Sequence, residues 1–149
     1  MALLVPSGLM AGALIAQFAF GLQPCELCWW QRYPHIAAIG MATLAIALKN
    51  VPAGHLFVVL AALAIAISGL IGAFHAGVEY GWWDGLTSCS SSKLGNDPLA
   101  SIMNAPLIRC DTAPWSWMGI SMAGFNFLIS LGSAILVLVL VGRTKRKGL

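Results

Sequence analysis

The sequence predicts an all-α integral membrane protein, a four-transmembrane-helix bundle with both termini cytoplasmic. Three observations carry that reading. Of 149 residues, 59% are hydrophobic and only 9% charged, where a soluble domain carries about 25% charge. The apolar residues gather into four segments. The basic residues collect where four crossings would return the chain to one side, and positive charge marks the cytoplasmic side of a membrane.

The first segment, about 3–22, contains no charge. It lacks the basic start of a secretory signal peptide and reads as a retained span. The second, about 29–48, is cleanly apolar only from His35 to Leu48, a length that also suits a buried or interfacial helix. Trp29 and Trp30 extend it to a crossing. Arg32 then lies near one end, where its side chain is expected to snorkel to water. The third segment, about 54–74, is apolar apart from His55 and Ser68, and the fourth, 118–142, is uncharged for 25 residues. A compact soluble helical protein is opposed by "HLFVVLAALAIAISGLIGAF", which has no polar face.

Arg143, Lys145, Arg146 and Lys147 follow the fourth segment, and Lys49 lies between the second and third. These positions define the cytoplasmic side, leaving outer loops at about 23–28 and 75–117. All five acids (Glu26, Glu79, Asp84, Asp97 and Asp111) fall in or beside those loops, although Arg32, Lys93 and Arg109 do too. Trp29, Trp30, Trp82, Trp83, Trp115 and Trp117 map to the same edge. Tryptophan favours the headgroup level, so anchoring explains them without a ligand.

Cys25, Cys28, Cys89 and Cys110 all map to the outer face, where disulfides persist. Four cysteines allow three pairings. Local spacing favours Cys25–Cys28 and Cys89–Cys110, the latter enclosing 20 residues. Zinc is a poor fit, because the second pair is not closely spaced and no histidine stands at finger spacing. Static disulfides would suit the long loop, but a bridge across "CELC" closes too small a loop to restrain much. A cycling dithiol suits it better, since amide donors and the dipole at a helix start stabilise a thiolate. Arg32 lies four residues beyond Cys28 and shares its helical face. It would stabilise the thiolate or a reduced acceptor, unless it is a headgroup anchor. His35 is either interfacial packing or a proton carrier, and Glu26 reads as a solvated loop acid. The chain carries no dinucleotide-binding glycine motif and no haem-attachment sequence. A lipid-soluble quinone could reach a dithiol at the membrane boundary.

"PCELCWWQRYPH", then a third helix ending "GAFHAGVEYGWW", then "TSC" and "PLIRCDTAPW", together resemble the bacterial disulfide bond formation protein B (DsbB) family over nearly the whole chain. The resemblance implies an inner-membrane oxidoreductase with its redox cysteines on the periplasmic side. Such a protein reoxidises a soluble thioredoxin-like thiol oxidase, DsbA, and passes the electrons to ubiquinone or menaquinone. It implies that Cys25 and Cys28 are the quinone-coupled pair, with Cys28 next to the quinone and Arg32 holding and polarising it. It makes Cys89 and Cys110 the shuttle pair, with Cys89 attacked by the partner and Cys110 contacting Cys25. His75 and Glu79, in "FHAGVE", would border the quinone site with His35 nearby. The interval between the loop cysteines is shorter than in the longest-studied members, which bears on partner choice. Within it "DPLASIMNAPLI" has the spacing of a short surface helix. Neither metal nor nucleic acid is expected. The competing classes are a small membrane transporter, suggested by four helices and scattered glycines, and a structural protein with two inert disulfides.

Overall fold

A computed structural model describes residues 1–87 and 108–147. Among them are helices α1 (Leu4–Ala19), α2 (Glu26–Ala47), α3 (Ala53–Glu79) and α4 (Met122–Lys147). A two-stranded antiparallel ribbon, β1 (Ser116–Trp117) and β2 (Ile120–Ser121), precedes α4 and is the one departure from all-α structure among these residues. Cys89, Lys93 and most of the proposed surface helix lie outside the described residues.

The helices differ from the expected spans at their ends, for local reasons. α2 begins at Glu26, ahead of the expected 29, because Cys25 takes extended backbone (φ −76°, ψ 176°) and its sulfur caps the Cys28 amide at 3.2 Å. Residues 26–28 are therefore helix and not loop. α3 runs on through His75 to Glu79, so both belong to the helix and not to the outer loop. α4 starts at Met122 rather than 118, because Met118 (φ 52°) and Gly119 (φ 80°) form the turn between β1 and β2. Positive φ at both central residues is the geometry of a tight two-residue hairpin. Tyr80 fastens this hairpin to α3: its hydroxyl donates to the Gly119 carbonyl and accepts from the Ser121 amide, both at 3.0 Å. The Ser121 hydroxyl then caps α4, accepting from the Gly124 amide at 3.1 Å, as an N-cap serine should.

α3 packs along both α2 and α4, while α1 leans more sparsely on α2 and α4. The buried stripe of α2 is Leu27, Gln31, His35, Ala38, Ala42 and Ala45, a single helical face. Its lower half is alanine, meeting Ala64, Ile65 and Ala134 in the core. Its upper half is polar. Against α4, α3 presents small residues: a Cβ on Gly72 would stand 2.9 Å from the Ala123 carbonyl oxygen. Helices without a hydrophobic driving force between them pack through such close approaches.

α3 and the stretch Met122–Thr144 of α4 are each long and apolar enough to cross a membrane, while α1 is apolar but shorter. The outward surfaces keep large apolar side chains exposed, among them Leu14, Phe18, Ile36, Leu63, Leu70 and Leu140. So continuous an apolar exterior belongs in lipid.

Candidate redox site

Cys25 and Cys28 are thiols, and their sulfurs lie 2.7 Å apart at the start of α2. The hydrogen bond between them, together with burial, pushes the Cys25 thiol up. The same bond pulls Cys28 below the ordinary thiol range; burial opposes the shift and the Arg32 charge assists it. The two shifts run in opposite directions, so the pair is polarised towards negative charge on Cys28. Glu26 is exposed in the first turn, as expected of a solvated acid, and favours the positive end of the helix dipole.

Cys110 is fully buried and disulfide-bonded. Its sulfur, that of Cys25 and a ring nitrogen of His75 all lie within 4.8 Å of one another. The Thr87 hydroxyl points at the Cys110 sulfur at 3.6 Å. Leu27 and Val78 pack around Cys25 and Cys110 and close the space to water. A disulfide sulfur is not a thiolate ligand, so the cluster is a place for sulfur exchange. Beside it, Arg109 grips Asp111 at 2.8 and 2.6 Å, which holds that carboxyl below its usual range.

His75 Nε2 lies 3.6 Å from Cys25 Sγ and 3.7 Å from Glu79 Oε1, and the His75 ring also hydrogen-bonds the Cys110 backbone. The Glu79 side chain is 2% exposed, and its second oxygen has no partner among the described residues. Arg32 is 7% exposed and does not snorkel. It turns inward onto α1 instead, donating to Gln17 Oε1 at 2.6 Å and to the Ala13 carbonyl at 3.2 Å, with its guanidinium 5.0 Å from the Trp29 ring centre. The two polar acceptors on α1 hold it there, which hydropathy alone could not reveal.

These residues surround one cavity of about 290 Å³ between α1 and the other helices. Cys28, Arg32, His35, His75 and Glu79 line it, with apolar walls from Leu9, Ala16, Pro114 and Met122. It is at the small end of ligand sites, large enough for one substituted ring. An apolar chamber bordered by a cysteine sulfur and a guanidinium suits a flat, mainly apolar ligand with polar atoms at its edge.

Sequence reasoning placed Cys25, Cys28, Arg32, His35, His75 and Glu79 at a site, and the fold gathers all of them with Cys110. It missed Gln31, Ser68, Asn126 and Ser130, which join α2, α3 and α4 by hydrogen bonds of 2.8–3.2 Å. Only the burial of polar residues inside apolar helices signals such a network, since intramembrane polar groups are costly unless paired. Thr87 was missed too; nothing in "DGLTSC" sets it apart from a loop residue.

Long apolar helices around a buried thiol pair, with a further disulfide-bonded cysteine in contact range, form a site of the thiol–disulfide exchange type. The family model described as "Disulfide bond formation protein DsbB" matches residues 1–140, and the chain belongs to the DsbB family. Proteins named Disulfide bond formation protein B from Verminephrobacter eiseniae and a Polaromonas species are 31% and 29% identical, each over 93% of this chain and over 81% and 86% of their own. An uncharacterized protein of Rickettsia prowazekii is 25% identical over 82% of this chain and 73% of its own. No solved structure matches the chain.

Proposed function

We propose that the protein is a quinone-dependent thiol oxidase of the bacterial inner membrane, with four membrane-spanning helices, cytoplasmic termini and its redox cysteines on the periplasmic side. Its substrate is a DsbA-like soluble dithiol oxidase, and its electron acceptor is ubiquinone or menaquinone. The observation that carries this reading is the polarised Cys25–Cys28 pair, open on one side to the cavity and on the other to Cys110.

In this reading Cys110 pairs with Cys89. A partner thiolate attacks Cys89, forming a mixed disulfide and releasing Cys110 as a thiolate. The second partner thiol then resolves the mixed disulfide, leaving the partner oxidised and the loop pair reduced. Cys110 attacks Cys25 of an oxidised Cys25–Cys28 pair, and Cys28 leaves as a thiolate. The Cys89 thiolate then attacks Cys110, re-forms the loop disulfide and releases Cys25. Two electrons have moved from the loop pair to the Cys25–Cys28 pair. Leu27 and Val78 exclude water from the exchange. Arg32 stabilises negative charge at the cavity wall beside Cys28 and donates hydrogen bonds there. His35 and Glu79 border the cavity on the side of α2 and α3. When bound, the quinone supplies the two-electron sink, and the protein supplies position and charge.

Separating the cysteine pairs tests this. Cys89→Ser should block oxidation of the partner while Cys25 and Cys28, once reduced chemically, still reduce quinone. Cys28→Ser should abolish quinone reduction. Normal partner-dependent quinone reduction by Cys89→Ser contradicts the relay.

A further inference from the structure

Two amide side chains, the buried Gln31 and the half-buried Asn126, line the cavity without a hydrogen bond to either sulfur. We infer that they are paired positioning residues that fix the proton positions of both buried histidines. His75 then presents an N–H to Cys25, and His35 directs its own N–H at Asn126 and Ser68. The inference rests on the thiol–quinone reading for its kinetic consequence. The proton positions follow from hydrogen-bond directions alone.

The first chain of reasoning starts at the Leu27 carbonyl, which can only accept. It lies 3.1 Å from Gln31 Nε2, so the Gln31 amide nitrogen must face it. The second proton on that nitrogen points to His75 Nδ1 at 2.8 Å. His75 Nδ1 is therefore an acceptor, and neutral His75 carries its proton on Nε2, the atom facing Cys25 and Glu79. Flipping the Gln31 amide would set its oxygen against the Leu27 carbonyl.

The second chain starts at the Ser68 carbonyl, 3.1 Å from Asn126 Nδ2. The same nitrogen donates to Gln31 Oε1 at 2.8 Å, joining the two amides. Asn126 Oδ1 is left facing His35 Nε2 at 2.9 Å and accepting from Ser130 at 2.8 Å. The Ser68 hydroxyl gives its proton to the Gln31 carbonyl at 2.8 Å, so its oxygen, 2.9 Å from His35 Nε2, also accepts. Two acceptors place the His35 proton on Nε2. Its Nδ1, 96% buried with its residue and without a partner among the described residues, is then unprotonated.

The consequences differ at the two ends. His75 is a donor and not a base towards Cys25, so it stabilises negative charge whenever Cys25 is a thiolate. His35, whose Nε2 is held by Asn126 Oδ1 and the Ser68 hydroxyl, is fixed as a neutral ring between α2, α3 and α4.

The test is nuclear magnetic resonance of ¹⁵N-histidine-labelled protein in detergent, near neutral pH, with neither quinone nor partner added. The chain has three histidines, and His55 is exposed and serves as the reference. Two-bond ¹H–¹⁵N correlations should show His35 and His75 protonated on Nε2. In Gln31→Met, which keeps the length and removes both polar atoms, the His75 proton should spread to Nδ1 while His55 is unchanged. The maximal rate of quinone reduction should fall about tenfold, the size expected for one hydrogen bond to a charged group, with the KM for the dithiol unaltered. Finding His75 or His35 protonated on Nδ1 in the wild type overturns the inference, even if Gln31→Met fails to fold. Wild-type His75 protonation persisting in folded Gln31→Met also overturns it. Both histidines protonated on Nε2 in a protein that reduces no quinone would leave the inference standing and refute the functional reading instead.

Discussion

Cys28 joins three influences on one sulfur: hydrogen bonds with the Cys25 side chain and with the Cys25 backbone, and the charge of the Arg32 guanidinium. Its lowered pKa fixes the sign of a pH test. The thiolate persists below the pH at which an ordinary thiol protonates, so Cys28 alkylation should reach half its plateau rate below the unperturbed value of about 8.5. Mass spectrometry of the labelled peptides separates Cys28 from Cys25, which should lag at every pH because its thiol is pushed up. Equal rates for the two would contradict the polarised pair. Arg32 is tested by a graded series. Lysine keeps the charge but loses the planar fork that reaches Gln17 and Ala13. Arg32→Lys should be impaired, and Arg32→Met should lower kcat/KM for quinone about ten- to a hundredfold, as for loss of a hydrogen bond to charge. Initial rates against quinone concentration, at equal folded protein, decide it. A wild-type curve for Arg32→Met would leave Arg32 a structural tie to α1.

At the scale of elements, the helices were legible because lipid-facing residues follow composition and length. Their ends were less so. Nothing in the hydropathy of Met118–Ser121 shows a hairpin, because its signal is backbone sign at Met118 and Gly119. α2 reads as the weakest span because its polar residues face inward, so Gln31, Arg32 and His35 lower its apolarity while building the site. The cysteine motif was visible from spacing, whereas Asn126 was one polar residue in an apolar run and needed its three-helix surroundings to acquire meaning. Packing between α3 and α4 gives a matched test. Gly40 has nothing within 4 Å of an added Cβ, while one on Gly72 meets the Ala123 carbonyl at 2.9 Å and Asn126 Nδ2 at 3.0 Å. Gly40→Ala should leave thermal stability unchanged or raised, since alanine is the better helix former. Gly72→Ala should cost about 1–3 kcal/mol through overpacking, read as a lower unfolding midpoint in detergent. Equal midpoints would mean that the close approach carries no energy.

At the scale of the whole molecule, Cys25 lies within reach of both Cys28 and the buried Cys110, and Cys28 lines the cavity. That arrangement requires a fixed topology. Labelling in intact cells should reach reduced Cys89 from outside and a Thr144→Cys substitution only from inside, consistent with the basic residues that follow Gly142. Both sites labelling from one side would defeat the four-span assignment. The central claim is that electrons from thiols leave through Cys28 to quinone. Its most direct test is a single turnover without oxygen or partner: fully reduced protein, freed of reductant, mixed with excess ubiquinone or menaquinone headgroup analogue. The account predicts two quinols per chain, because closing two disulfides from four cysteines releases four electrons, and none from Cys28→Ser. Thiols that stay reduced in the wild type, or quinol formed equally well by Cys28→Ser, would contradict it.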